Sequence, residues 1–395
     1  MNNQKIGNLE SLNKQVYDEI HWWQFPLAEF SIKLNKNFKD IFFNKIISKR
    51  SKSLEFASYM NNRSKKYHKD WNFKRQRALI WDYKINAEFV PAWFVYESVM
   101  YLKMDLLEIE ENIIAYLTFR GRTIVHPKLP VEVKPEFSSL IAHMICDGTV
   151  REDRFFYFQK DKDGLKRFIE LIQNVFGNYS TNPQRGHTVP LIFKEVISSY
   201  FKASKFGSLD CNLTNKIFEL PRLHKVAILA GALLDDGHSV SCIRFYTASL
   251  DFAQSLKRLS ESIGYKCTPI IKRKPDAENW HNLYTFNISA ESIPKFYQDL
   301  TELFELYPKL HIGKKYDNIR KFVEIKNRAW EQRAKGETIK IILDTLKENG
   351  RSAQELSEIT NTSLWTVYHH LQKLIKRGKL TKFKKYKDTF VYRLV

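Results

Sequence analysis

The stretch Leu229-Ala230-Gly231-Ala232-Leu233-Leu234-Asp235-Asp236-Gly237 constrains this chain most, because a looser copy lies upstream as Leu140-Ile141-Ala142-His143-Met144-Ile145-Cys146-Asp147-Gly148. One apolar run ending in Asp-Gly means little, since any helix can close that way. Two such runs, with their Asp-Gly pairs 236 − 147 = 89 positions apart and similar segments downstream, form an internal repeat. Ser138, Ala142 and Cys146 fall at i, i+4 and i+8, so small side chains line one helix face, and Ala227 and Gly231 do the same in the second copy. Small residues at that spacing let two helix backbones approach closely. Gly148 and Gly237 then close the helices, leaving Asp147 and Asp236 side by side at the base of a packed pair. Two carboxylates so placed suit shared divalent metal ions and phosphodiester hydrolysis by metal-activated water. Two ordinary core helices, each closed by Asp-Gly, would show the same pattern without the chemistry.

The charge balance points to a polyanion. Lysine and arginine total 64 against 44 acidic residues, a formal charge of +20, which is hard to reconcile with a small-molecule enzyme. An aromatic content of 14% makes this a folded protein and not a basic tail. The longest apolar run, Val226 to Leu234, falls far short of the ~20 residues a membrane span needs. The first residues lack the apolar core of a secretory signal. Cys146, Cys211, Cys242 and Cys267 show no C-x-x-C pairing, so a zinc site is not expected and a reducing, cytoplasmic setting is.

The second copy resembles the LAGLIDADG motif of homing endonucleases, matching at positions 1, 2, 3, 8 and 9. The segments after each Asp-Gly follow the order of that family. Thr149 to Gln159 favours a strand, Lys162 to Phe176 an amphipathic helix, His187 to Phe193 a strand and Val196 to Phe201 a helix. In the second copy His238 to Thr247 is strand-like and Phe252 to Ile263 helical. Lys266 to Lys272 and Asn282 to Ser289 make a hairpin, and Ser292 to Phe304 is helical.

The resemblance covers 135–325, in repeats of about 135–220 and 221–325. It implies an α+β core of two pseudo-symmetric αββαββα repeats, crossing at Ala142, Cys146, Ala227 and Gly231, with saddle-shaped sheets for the DNA major groove. It further implies Mg²⁺ or Mn²⁺ on Asp147 and Asp236, catalysis by these acids assisted by Lys272 and Lys274, and DNA contacts from Lys272, Arg273, Lys274 and Arg185. A charged hairpin tip on a soluble protein is the plainer reading of those basic residues. Three departures from the motif stand out: Asp235 at position 7, Ala142 at position 3 and His143 at position 4. Asp235 either strains the crossing or adds a third carboxylate near the metals.

Flanking modules bracket this core. Residues 1–125 read as a helical, basic region in which Trp22-Trp23-Gln24-Phe25 and Ile41-Phe42-Phe43 are buried anchors. Between Lys45 and Arg77, Tyr59, Tyr67, Trp71 and Phe73 interleave with eleven basic residues, a mixture suited to phosphate contacts or to a solvated helix face. Residues 90–113 resemble a helix-turn-helix, as any helical hairpin would. Residues 336–395 are similar to a winged helix: three helices, the second opened by a Ser352/Glu355 capping box, then a hairpin around Tyr386-Lys387-Asp388. That places Thr362, Thr366, His369, His370 and Lys373 toward the DNA groove, with Lys382, Lys384, Lys385 and Lys387 on the wing. A winged helix used for protein contacts is the alternative.

The expected partner is double-stranded DNA, met by a monomer, since both motifs lie on one chain. Persistence of both acids favours a Mg²⁺-dependent, site-specific double-strand endonuclease. The layout also resembles bacterial sporulation regulators in which a LAGLIDADG domain sits beside a helix-turn-helix and no longer cuts DNA, so a non-cleaving transcriptional regulator is the alternative. An RNA-binding maturase is a third reading.

Overall fold

Helix and strand alternate throughout the computed structural model, which describes residues 16–395 except 49–52, 68–75, 119–121, 152–153, 160–161, 180–187, 204–210, 241, 274–281, 328–333, 335 and 387–388. The fold is α+β, with small sheets set among helices. The chain forms two compact units, Met1–His238 with Cys242–Ile312, and Ser239–Ser241 with Gly313–Val395. No helix among the described residues is long and apolar enough to cross a membrane.

The first unit begins with β1 (Asp18–Ile20), β2 (Phe30–Leu34), α1 (Lys36–Ser48), α2 (Ser53–Lys66), α3 (Gln76–Ile85), β3 (Val90–Pro91), α4 (Ala92–Leu102), α5 (Leu106–Glu111), β4 (Ile113–Thr118), β5 (Ile124–Pro127) and β6 (Val131–Val133). Trp22, Phe25, Phe42 and Phe43 are buried as expected, whereas Ile41 is exposed. Tyr59 and Tyr67, among the lysines, turn inward. Glu97 of α4, itself 2% exposed, accepts hydrogen bonds from Tyr59 Oη at 2.8 Å and Tyr67 Oη at 2.6 Å, with Arg63 Nε 3.4 Å away. Burial next to that carboxylate raises the Tyr67 pKa. Trp71 and Phe73 lie outside the described residues. The 90–113 stretch does form two helices around a turn, but Ala92 to Val95 and Glu97 to Val99 are buried, so α4 is a core element.

Two αββαββα segments follow. The first is α6 (Pro135–Cys146), β7 (Gly148–Arg151), β8 (Arg154–Tyr157), α7 (Lys162–Phe176), β9 (Gly177–Tyr179), β10 (Thr188–Val189) and α8 (Leu191–Phe201). After α9 (Asn215–Glu219) comes the second: α10 (Arg222–Asp236), β11 (Gly237–His238), β12 (Ile243–Thr247), α11 (Leu250–Ser262), β13 (Ile271–Arg273), β14 (Leu283–Ile288) and α12 (Ile293–Leu306). The element order is shared; the strand pairing is not. The second segment makes a four-stranded sheet in the order β11-β12-β14-β13, the first a three-stranded one in the order β10-β8-β7. Its remaining strand, β9, joins a sheet of the N-terminal region in the order β3-β2-β4-β5-β9, where Gly177 faces Pro127. A Cβ on Gly177 would lie 2.7 Å from the His126 carbonyl oxygen, and its φ of +111° suits glycine, so only glycine allows that approach. With β1 pairing β6, strand pairings cross the boundary expected between 125 and 135. The strand expected over His187–Phe193 stops at Val189. Pro190, with φ near −59°, already sets the chain for α8.

Both α6 and α10 are apolar around most of their circumference, as helices packed on all sides must be.

The second unit holds α13 (Lys314–Asn327), α14 (Glu337–Glu348), β15 (Arg351–Ser352), α15 (Ala353–Ile359), α16 (Leu364–Lys376), β16 (Leu380–Tyr386) and β17 (Thr389–Leu394). From α14 onward three helices are followed by a two-stranded hairpin, with β15-β17-β16 as the sheet and Ile342, Leu346, Leu356, Val367, Leu371, Leu374 and Tyr392 as the core. The capping box forms as read. Ser352 Oγ accepts from Glu355 N at 3.2 Å, and Ser352 N donates to Glu355 Oε2 at 2.7 Å.

Candidate nucleic-acid interface and the crossing helices

Helices α6 and α10 cross where the small residues lie. A Cβ on Gly231 would sit 2.9 Å from Ser139 Oγ and 3.2 Å from the Ala142 Cβ, so glycine sets the closest approach. Ala142 and Ala227 are fully buried and Cys146 is partly exposed. Each end of the crossing carries a polar link between the helices. Ser138 Oγ lies 2.8 Å from His224 Nδ1 at one end, and His143 Nδ1 lies 2.9 Å from Asp235 Oδ2 at the other. Burial lowers the His224 pKa to about 4.

Asp235 is held by protein groups. Its side chain is fully buried, and its Oδ1 also accepts from Tyr157 Oη at 2.9 Å and Gln159 Nε2 at 3.3 Å. Burial, reinforced by the Asp235 charge, raises the Tyr157 pKa and keeps its phenol a donor. Gln159 Nε2 donates to Asp147 Oδ2 as well, at 2.8 Å, which ties the two carboxylates to one amide. Asp147 itself ends α6, its N–H donating to the His143 carbonyl at 3.1 Å. Burial, with the charges of Asp236, Asp235 and Asp147, pushes up the pKa of the Cys146 thiol.

Phenol, amide and imidazole donors occupy both Asp235 oxygens and one of Asp147. Among the described residues, no group of three or more His, Cys, Asp or Glu side chains could hold a metal ion.

The basic candidates fall in several places. Lys272 and Arg273 are exposed on β13, whereas Lys274 and Arg185 lie outside the described residues. On α16, Thr366 is drawn into the helix start. Its N–H donates to Ser363 Oγ at 3.1 Å and its hydroxyl lies 2.7 Å from the same atom. His370 is half-buried, with a buried Nδ1 that lacks a partner; burial, His369 and Lys373 lower its pKa. The exposed row is instead Trp365, His369, Gln372, Lys373 and Lys376. Trp365 is 75% exposed and its ring stacks on His369, with centroids 5.5 Å apart and planes within 4°. Sequence reading missed Trp365, Gln372 and Lys376. Their signal was present as the i, i+4, i+7, i+8, i+11 spacing opposite Val367, Leu371 and Leu374. On the wing, Lys382 is exposed with Nζ 3.6 Å from the Phe390 ring centroid. Lys384 and Lys385 belong to β16, and Lys387 lies outside the described residues.

No family model matches the chain, and no curated protein matches it. Among solved structures it is similar to full-length DUF199/WhiA from Thermatoga maritima, at a TM-score of 0.28 and 11% identity over 62% of this chain and 90% of that one. These results correct the assignment to the LAGLIDADG homing endonucleases. Nothing in the comparisons places the chain in that family, since no family model matches it.

Proposed function

We propose that this chain is a DNA-binding regulatory protein that recognises specific duplex sites without cutting them. The observation that carries the reading is the exposed row on α16. It combines two cations, Lys373 and Lys376, with donors and an aromatic surface at Trp365, His369 and Gln372. A helix so furnished in a winged helix has the chemistry to contact base edges and phosphates in a major groove. The +20 charge supplies the non-specific attraction. Within the first unit, the stretch from α6 to α12 is read as two copies of an αββαββα module. Their shared element order supports this, and they diverge at β9. At the crossing, the hydrogen bonds held by Asp235 and Asp147 favour a structural role for these acids over metal-assisted hydrolysis.

Selection of the full chain against a randomised duplex library, in buffer with Mg²⁺, tests this. The expected result is an enriched sequence motif with both strands intact. Affinity should fall by ~0.9 in log K per tenfold rise in salt for each phosphate neutralised. Lys373→Ala and Lys376→Ala should flatten that slope, while Trp365→Ala should blur the motif. Strand breaks at the selected site would overturn the non-cleaving reading. Absence of an enriched motif would overturn sequence recognition itself.

A further inference from the structure

A cavity of 380 Å³ opens beside the first turn of α6, large enough for a small ligand. Glu136 lines it. The residue is only 8% exposed, its Oε1 accepts from Asn174 Nδ2 at 3.4 Å, and its Oε2 is buried with no hydrogen-bond partner. A buried carboxylate oxygen in that state is costly unless something donates to it. Burial raises the Glu136 pKa, and its own backbone N–H, Lys134 and Lys128 offset this only in part.

Those two lysines do not supply the missing donor. Lys128 Nζ donates to the Asn174 carbonyl at 2.7 Å, and Lys134 Nζ to the Glu132 carboxylate. With Glu132 paired to Lys134, Glu136 within and Glu19 on the exposed rim stand against the charge of Lys128 and leave the lining one negative charge in excess. In a chain of charge +20 this acidic pocket runs against the overall balance. Leu129, Pro130 and Val175 add an apolar wall.

We propose that the cavity binds a small aliphatic amine, its ammonium group on Glu136 Oε2 and its alkyl chain along Leu129, Pro130 and Val175. An ammonium brings charge and several N–H donors to one buried acceptor, and charge-assisted hydrogen bonds are the strong ones. The site lies within the first unit and does not depend on DNA recognition by the winged helix.

The test is isothermal titration of the full chain with butylamine at constant ionic strength. Saturable binding at one site per chain is expected. Glu136→Gln, which keeps the shape and removes the charge, should weaken it by about tenfold or more. Two controls need no variant. Butanol has a donor but no charge, and tetramethylammonium has charge but no N–H; each must bind at least about tenfold more weakly to the wild type. If an ordered water satisfies Glu136 Oε2, butylamine gives no saturable heat, and the proposal is overturned. Equal binding by tetramethylammonium, or by the Glu136→Gln protein, overturns it too.

Discussion

The clearest quantitative consequence of the helix crossing concerns acid stability through His224. This imidazole is 3% exposed on α10, with Nδ1 2.8 Å from Ser138 Oγ. Burial lowers its pKa from 6.5 to about 4, so the native state holds it neutral. The sign follows from the order of the two values. Above pH 6.5 neither state binds the proton, and the group adds no pH dependence. Between 6.5 and 4 the unfolded chain takes up a proton that the native state refuses, so stability falls with pH. The gap is 6.5 − 4 = 2.5 in pKa, which at about 1.36 kcal/mol each gives a full loss of about 3 kcal/mol. By about pH 5 some 2 kcal/mol of it should already be gone. Because the group is almost wholly buried, solvent screening hardly reduces this figure. His224→Asn keeps a polar atom near Ser138 but cannot titrate. Urea unfolding of both proteins at about pH 7.5 and about pH 5 should therefore show the wild type losing roughly 2 kcal/mol more than the variant. Glu136, whose raised pKa acts in the opposite sense, is common to both proteins and cancels in the difference. Parallel losses in the two proteins would refute the reasoning.

The His143–Asp235 link should appear in a double-mutant cycle with His143→Ala and Asp235→Ala, giving a coupling of about 0.5–3 kcal/mol by denaturant unfolding. Additive single changes would show that the contact contributes nothing. Gly231→Val should cost about 1–3 kcal/mol, read as a lowered Tm, because Ser139 Oγ and the Ala142 Cβ stand 2.9 and 3.2 Å from the new Cβ.

Where local signals and packing agreed, the fold was legible in the sequence. The Ser352/Glu355 box, the Leu364–Lys376 helix and the Lys162–Phe176 helix appear where their caps and apolar faces put them. The crossing was legible as well, because small residues at helical spacing leave few other uses for that face. Long-range pairing was not. Nothing local marks β9 as a partner of β5, and that pairing makes the two αββαββα segments differ despite their common order. Tyr59 and Tyr67 looked like stacking groups among lysines. Their real partner, Glu97, lies 38 and 30 positions away, beyond any periodicity. On α16 the apolar face was read correctly, while the solvent-exposed row lies one residue away from Thr366 and His370. The hydroxyls of Ser363 and Thr366 were needed at the helix start, which turns Trp365 and His369 outward.

Asp235 and His143 were read as two separate departures from a motif, one in each copy. In the folded chain they are the two ends of one hydrogen bond, and each accounts for the other. A buried carboxylate alone at a helix crossing would be costly, and an imidazole alone would leave a nitrogen unsatisfied. Together, with Tyr157 and Gln159 donating to the same acid, they make a polar seam whose partners are all protein groups. Such a seam fixes the register of the two helices, since a slide of one turn would strand four polar groups at once. It also binds Asp147 through Gln159 into the same network. On the proposed reading, the acids at the base of the crossing hold the first unit together, while the contacts with DNA are made by the exposed row of α16.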